Sequence, residues 1–146
     1  MPAIDLIVVG KMKHDPLMDV FEDYRKRMQW KVSVTELEGK NQADELSKIS
    51  EKLDSRAALI ILDERGHNIS SRDLSARIDD FQNKGISTIQ FVIGGADGLS
   101  DDIRKKASLM LSFGKLTWPH KLARVMLIEQ IYRAQQILAG HPYHRD

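Results

Sequence analysis

Cysteine is absent from this chain of 146 residues. That excludes disulfides, thiolate metal sites and a cysteine nucleophile, and it is compatible with a cytoplasmic setting. Proline numbers only four, and no linker, repeat or low-complexity segment is visible. Long apolar runs are missing too. Ile4 to Val9 is apolar but short, carries Asp5, and lacks the basic flank and cleavage site of a signal peptide. No run approaches the length of a membrane span. Net charge is small at +1, so the protein as a whole has little field of its own. What remains is the composition of an ordinary single domain, long enough to bury a core.

The small net charge hides an uneven distribution. From Arg104 to the end there are eight Lys/Arg (Arg104, Lys105, Lys106, Lys115, Lys121, Arg124, Arg133, Arg145) and two acids (Glu129, Asp146). That segment is therefore +6 and residues 1–103 are −5. The asymmetry points to a polyanionic partner or, equally, to a solvated basic helix face.

Apolar runs of β character alternate with helical spacing along the chain. Ile4–Val9 stops at Gly10. Asp15-Pro16 reads as a cap before a helix carrying Leu17, Val20, Phe21 and Tyr24 and running to about Met28. Val32–Leu37 alternates as a half-exposed strand does. Asn41 caps a helix with Leu46, Ile49 and Leu53 inward. Ala57–Leu62, fully apolar, reads as a central buried strand that ends in a polar turn, Asp63–Asn68. Ser70-Ser71 opens a helix carrying Leu74, Ile78 and Phe81. Thr88–Ile93 is a further buried strand, Ser100-Asp101-Asp102 opens a short helix, Leu109–Ser112 is the last strand, and a long helix runs from His120 to Ala139. The pattern predicts an α/β fold, a mostly parallel sheet flanked by helices, in a single domain over residues 1–146.

Two strand ends concentrate the features that could carry chemistry. Thr88–Ile93 stops abruptly at Gly94-Gly95-Ala96-Asp97-Gly98. This is neither a phosphate-binding Walker loop nor a dinucleotide fingerprint, since the lysine and the spacing are missing; it reads as a tight strand-to-helix turn or as a backbone cradle for a ligand. Leu109–Ser112 stops at Phe113-Gly114-Lys115-Leu116-Thr117-Trp118-Pro119, too broken for a helix or a strand. Ligands of parallel sheets bind where strands end, so both loops are expected to build one pocket, with backbone groups of the second free to bind polar edges. Trp118 taken alone reads as a core residue. The final helix is apolar nearly all round, which predicts burial on several sides and a subunit interface. The tail His141-Pro142-Tyr143-His144-Arg145-Asp146 is rich in groups that move or hold protons. No metal is expected there, because His141 and His144 lack a carboxylate at helical spacing.

In order, the blocks Ile93-Gly94-Gly95-Ala96-Asp97-Gly98-Leu99-Ser100, Leu116-Thr117-Trp118-Pro119-His120 with the helix that follows, and the terminal His141-Pro142-Tyr143-His144-Arg145 resemble the bacterial ribosomal RNA large subunit methyltransferase H family. These are SPOUT-class enzymes that methylate N3 of a pseudouridine in 23S rRNA. The resemblance spans the whole chain. Relatives often have proline and glutamate where this chain has Ala96 and Asp97, and Phe113-Gly114-Lys115 matches less well than the residues after it. The resemblance implies a C-terminal trefoil knot, a homodimer, and S-adenosylmethionine held by Leu62, Gly94, Phe113, Gly114, Lys115, Leu116, Thr117 and Trp118. It implies methylation in the helix 69 stem-loop on assembled 70S ribosomes, in the cytoplasm.

Loss of the N3 proton calls for a base or a polarising cation. Tyr143, His144 and Arg145 are the candidates, reaching the partner subunit's cofactor, with Arg133 orienting base or phosphate. His144 as base and Arg145 as clamp is the version to test. Two readings without catalysis stand beside this one: a nucleotide-binding regulatory domain, and a ribosome-associated factor indifferent to Gly94→Val.

Overall fold

In the computed structural model, residues 1–146 form five strands and five helices. The strands are β1 (Ala3–Val9), β2 (Lys31–Leu37), β3 (Ala58–His67), β4 (Thr88–Ile93) and β5 (Leu109–Leu111), and the helices are α1 (Leu17–Arg27), α2 (Gln42–Lys52), α3 (Ser71–Asn83), α4 (Asp101–Lys106) and α5 (His120–Leu138). One sheet has the order β2-β1-β4-β3-β5. Every neighbouring pair is parallel, so the expected mostly parallel sheet is wholly so. The central position belongs to β4, with β3 interior beside it, because β1 and β3 both pair with β4.

Strand alternation splits the core in two, as period-2 side chains must. Ile4, Leu6 and Val8 of β1 join Ile60, Phe91 and the apolar residues of α1, α3 and α5 on one face. Ile7 and Val9 join Ile61, Val92, Ile49 of α2 and Ile103 of α4 on the other. Both faces are covered, which is why the inner strands read as unbroken apolar runs. Gln90, buried in β4, is reconciled with its apolar setting by three bonds. Its amide donates to Asp5 Oδ2 and the Lys52 carbonyl, each at 2.9 Å, and its oxygen accepts from the Asp54 N–H at 2.9 Å.

Helix starts follow the side chains that can satisfy free N–H groups. Asn41, Ser70 and Ser100 cap α2, α3 and α4, and Ser70 forms a reciprocal capping box with Asp73. At α1 the structure departs slightly from expectation: Pro16 holds the cap position, and Asp15 accepts the Leu17 N–H at 2.9 Å from one residue further out.

One expectation needs correction. The polar segment after Leu62 is not a turn. β3 continues through Asp63, Glu64, Arg65 and Gly66 to His67, with a register shift against β5 between Leu62 and His67. The reason is local: Gly66 passes so close to β5 that a Cβ there would lie 2.6 Å from the Met110 carbonyl oxygen, so only glycine lets the strand return to pair with Leu111. The apolar girth of α5 meets the expected burial on several sides. Nine of its 19 residues are buried, because it packs between α1, α3 and the sheet.

Candidate active site

The carboxyl ends of β3, β4 and β5 open into one cleft of about 430 Å³. Its walls come from Leu62 and Asp63 of β3, the 94–99 glycine loop after β4, Ser112 to Gly114 and Leu116 to Trp118 after β5, and the first turn of α5 at His120 and Ala123. A parallel sheet dictates this position, since its strand ends lie on one edge and their loops converge there. The size and mixed lining are those of a small-molecule site.

The 113–118 loop keeps its shape without secondary structure. Ser112, buried, donates from its hydroxyl to the Gly114 carbonyl at 2.9 Å and accepts the Gly114 N–H at 3.1 Å. The Trp118 indole N–H donates to the Phe113 carbonyl at 3.3 Å. Between these braces, the backbone N–H and C=O groups of Lys115, Leu116 and Thr117 make no hydrogen bond within the chain. Leu116 and Thr117 line the cleft. Backbone groups left unpaired beside a cavity are donors and acceptors for whatever fills it. Trp118 is not the core residue its type suggested; it is 37% exposed and stands at the rim because its indole is tied back to its own loop.

Across the cleft, the glycine loop is closed by the Gly98 N–H donating to the Gly95 carbonyl at 3.0 Å, and Gln42 at the start of α2 donates to the Asp97 carbonyl at 2.8 Å. Arg104 of α4 donates from Nε to Asp63 Oδ2 at 2.7 Å and from Nη1 to Asp101 Oδ1 at 2.9 Å. These bonds, the one to Asp63 foremost, raise the Arg104 guanidinium above its usual range. Asp63 is only 5% exposed and also accepts the Arg65 N–H at 2.8 Å. It is therefore engaged with the protein, while Arg104 keeps further N–H donors on the cleft wall.

Of the eight residues expected at the cofactor, seven line this cleft: Leu62, Gly94, Phe113, Gly114, Leu116, Thr117 and Trp118. Lys115 is in the loop, but its exposed side chain is not part of the wall. Asp63, Arg104 and Ser112 were not foreseen. Arg104 and Asp63 are 41 positions apart, and no local pattern links them.

The tail residues form a separate cluster on α5. Arg133 clamps Glu129 through Nε at 3.0 Å and Nη2 at 2.5 Å. The Tyr143 hydroxyl donates to the same carboxylate oxygen at 3.0 Å, and its ring lies edge-on to Tyr132 with centroids 4.8 Å apart. Burial first, and the Glu129 carboxylate second, push the Tyr143 phenol well above its usual range, so it stays a donor. His144 is held at both nitrogens: Nδ1 lies 3.0 Å from Arg133 Nη1 and Nε2 lies 2.9 Å from Asp146 Oδ1. A guanidinium only donates, so Nδ1 is the acceptor and the proton sits on Nε2. Asp146 in turn accepts from Arg72 of α3 at 2.8 Å. Arg145 is exposed and stands apart from these contacts. Three of the four expected catalytic residues are thus together around Glu129, the partner that sequence reasoning missed.

None of the four lines the cleft of its own chain. Phe113 separates the two regions: it lines the cleft on one side and, on the other, a smaller depression of about 240 Å³ with Tyr24, Val125, Met126, Glu129 and Gln130.

Half of the basic residues of the C-terminal segment are paired within the chain, while Lys105, Lys106, Lys115 and Arg145 stay exposed. Arg104 pairs with Asp63, Lys121 with Asp15 at 3.2 Å, Arg124 with Glu36 at 2.5 Å, and Arg133 with Glu129. Three of these carboxylates come from the acidic first part of the chain, so folding cancels much of the asymmetry. No helix is long and apolar enough to cross a membrane, and no group of three His, Asp or Glu is placed to hold a metal ion.

A parallel α/β sheet with a cleft at three strand ends and a braced, backbone-rich loop in its wall is consistent with a cofactor-dependent transferase, and the sequence relationships specify which. Residues 3–144 match the family model described as "Predicted SPOUT methyltransferase"; the class is therefore that of the SPOUT methyltransferases, and the protein is an enzyme. Curated relatives narrow this further. The ribosomal RNA large subunit methyltransferase H of Rhodospirillum centenum is 45% identical over 147 residues, covering 96% of this chain and 97% of its own. The protein of the same name from Mesorhizobium japonicum is 43% identical and that from a Bradyrhizobium strain (BTAi1) 42%, each covering 97% of this chain and 98% of its own. The chain belongs to the ribosomal RNA large subunit methyltransferase H family.

Proposed function

We propose that this protein transfers a methyl group from S-adenosylmethionine to N3 of a pseudouridine in the helix 69 stem-loop of 23S rRNA, acting on assembled 70S ribosomes in the cytoplasm. The observation that carries the proposal is the cleft wall of unpaired backbone at Leu116 and Thr117, in a chain related over nearly its full length to rRNA methyltransferases.

The residues present suit S-adenosylmethionine. Leu62, Ile93 and Leu116 offer apolar walls for a flat base. The free N–H and C=O groups of the loop match the polar edge of an adenine, and the unused donors of Arg104 match a carboxylate. Gly94, Phe113, Gly114, Thr117 and Trp118 complete the enclosure, with Lys115 contributing backbone alone. Bound there, the cofactor supplies a methyl on a sulfonium, so that the leaving group is a neutral thioether. The cleft's task is then alignment and exclusion of water.

The imide proton on N3 has to leave, and the tail supplies the groups that assist. Tyr143 and Arg133 are locked onto Glu129 and serve to hold the tail. For His144 to act as base, its Arg133 contact at Nδ1 must open. Arg145, unengaged, is suited to polarise the base carbonyl or clamp a phosphate. Because the four line no part of their own chain's cleft, we assign the complete site to a homodimer in which each tail serves the partner's cleft. The depression lined by Val125 and Met126 belongs to that contact, and a trefoil knot forms the cleft loops.

The experiment is transfer of labelled methyl from S-adenosylmethionine to 70S ribosomes, free large subunits and bare 23S rRNA from a host lacking the activity, with sedimentation to give the subunit count. Label on one pseudouridine in assembled ribosomes is the expected result. Cofactor binding with no label on any of the three would overturn the rRNA assignment.

A further inference from the structure

The loop between β1 and α1 is built more rigidly than its exposure requires. Arg124, 4% exposed on α5, reaches across to it. Its Nη2 donates to the Gly10 carbonyl at 3.0 Å and its Nη1 to Glu36 Oε2. The same carboxylate oxygen accepts the Met12 N–H at 2.8 Å, and Met12 is fully buried. At the far end, the Asp15 N–H donates to the Met12 carbonyl at 3.0 Å and its carboxylate pairs with Lys121. Gly10, Met12 and Asp15 are therefore fixed points. Between them stand Lys11, Lys13 and His14, all exposed. His14 is the only non-glycine residue of the chain with positive φ, at 65°. Such a conformation is strained for a residue with a Cβ and persists only where the surroundings impose it.

A surface loop needs no buried ion pair to stay soluble. The anchors fix the backbone positions from which three cationic or protonatable side chains project. Those positions adjoin the cleft. β1 pairs with β4 up to Val8 opposite Ile93, so Gly10 leaves the sheet at the same edge as Gly94. Lys121, which ties down Asp15, follows His120 of the cleft wall. Lys11 has a carboxylate, Glu38, no closer than 3.8 Å, and both side chains are 61% exposed. Such a contact is weak and readily exchanged.

We infer that Lys11, Lys13 and His14 form a phosphate-binding ridge through which the RNA substrate is seated beside the cleft. The inference rests on the rRNA reading above and adds the surface that reads the RNA backbone. Cations projecting from an anchored backbone contribute to RNA affinity through phosphate contacts and counterion release, and they position the strand without reading bases.

The test is a triple variant, Lys11→Ala/Lys13→Ala/His14→Asn. Asparagine tolerates positive φ, so the loop keeps its shape. The control, Lys84→Ala/Arg56→Ala, removes exposed cations ahead of β4 and β3, at the opposite edge of the sheet. Binding to assembled 70S ribosomes, with free large subunits and 23S rRNA alongside, is measured by filter retention from about 50 to 200 mM salt, with thermal melting to confirm folding. The ridge predicts about tenfold or greater weakening for the triple variant at the higher salt. It also predicts a salt dependence shallower by about 1.5 to 2.5 in log–log slope, about 0.7 to 0.9 per lost contact, with the control at wild-type values. Wild-type affinity and slope in the triple variant would overturn the ridge, as would equal weakening in the control. Methyl transfer by the wild-type protein reports separately on the rRNA reading, since RNA binding is scored whether or not methyl is transferred.

Discussion

The cleft and the tail cluster are built from different materials. The cleft is made of strand ends, glycines and a loop braced by Ser112 and Trp118, and what it offers a ligand is largely backbone. The tail cluster is made of side chains: Arg133 and Tyr143 bind one glutamate, and His144 joins through Arg133. Backbone sites tolerate exchange of side chains such as Ala96 and Asp97, because the binding atoms are common to all residues. Side-chain sites do not. The cleft is also complete in one chain, whereas the tail group faces no cleft of its own. The two regions adjoin at Phe113, which lines both the cleft and the depression beside Glu129.

The division can be broken most sharply by deleting residues 141–146. Turnover is expected to fall about a hundredfold or more, with cofactor affinity within about twofold of wild type by calorimetry; equal losses in both would show that the tail belongs to the binding site. Gly94→Val attacks the other side. A Cβ there would lie 2.8 Å from Leu99 Cδ2, so the buried Leu99 side chain or the loop must give way while the valine methyls narrow the cleft, and cofactor affinity should weaken about tenfold to a hundredfold, which is about 1.4 to 2.8 kcal/mol. An unchanged affinity would remove the glycine loop from the site.

Smaller effects sharpen the comparison through stability. Partial burial pushes the Glu36 carboxyl upward, but hydrogen bonds from Arg124 and the Met12 N–H outweigh it and hold it below the usual carboxylate range. The folded state therefore binds this proton less readily than the unfolded chain does. The pair's contribution is full above the ordinary glutamate range and is lost as pH falls through the folded value. Thermal melts of the wild type from pH 7 to pH 3 should show this loss, and Glu36→Gln should flatten it while lowering the melting point at pH 7. The least effect is expected from Arg72→Ala. The Arg72–Asp146 pair is more than half exposed on both sides, so the melting temperature should stay within the scatter of repeat wild-type melts. A larger change would mean that the tail is pinned more firmly than its exposure implies.

Much of this was legible in the chain. The caps at Asn41, Ser70 and Ser100 follow from side-chain oxygens placed ahead of helical spacing, and the cleft follows from two strands that stop in loops. The course of β3 was not legible. Asp63 to Gly66 is polar in composition, yet Gly66 allows an approach to Met110 that only the folded sheet reveals. The charge pattern misled for a related reason. Arg124 and Glu36 are 88 positions apart, and sequence counts charges without showing which of them meet.

The sequence by itself determined the alternation of elements, the two faces of the sheet, the loops that wall the cleft and the family to which the chain belongs, because these depend on local periodicity and on short ordered motifs. Only the tertiary structure decided that β4 lies at the centre, that Arg104 and Arg124 are spent on Asp63 and Glu36, and that the tail gathers on Glu129 away from its own cleft. Those outcomes depend on which distant segments the sheet order brings within a few ångströms, a choice made by burial of the whole apolar surface at once and written in no single stretch of the chain.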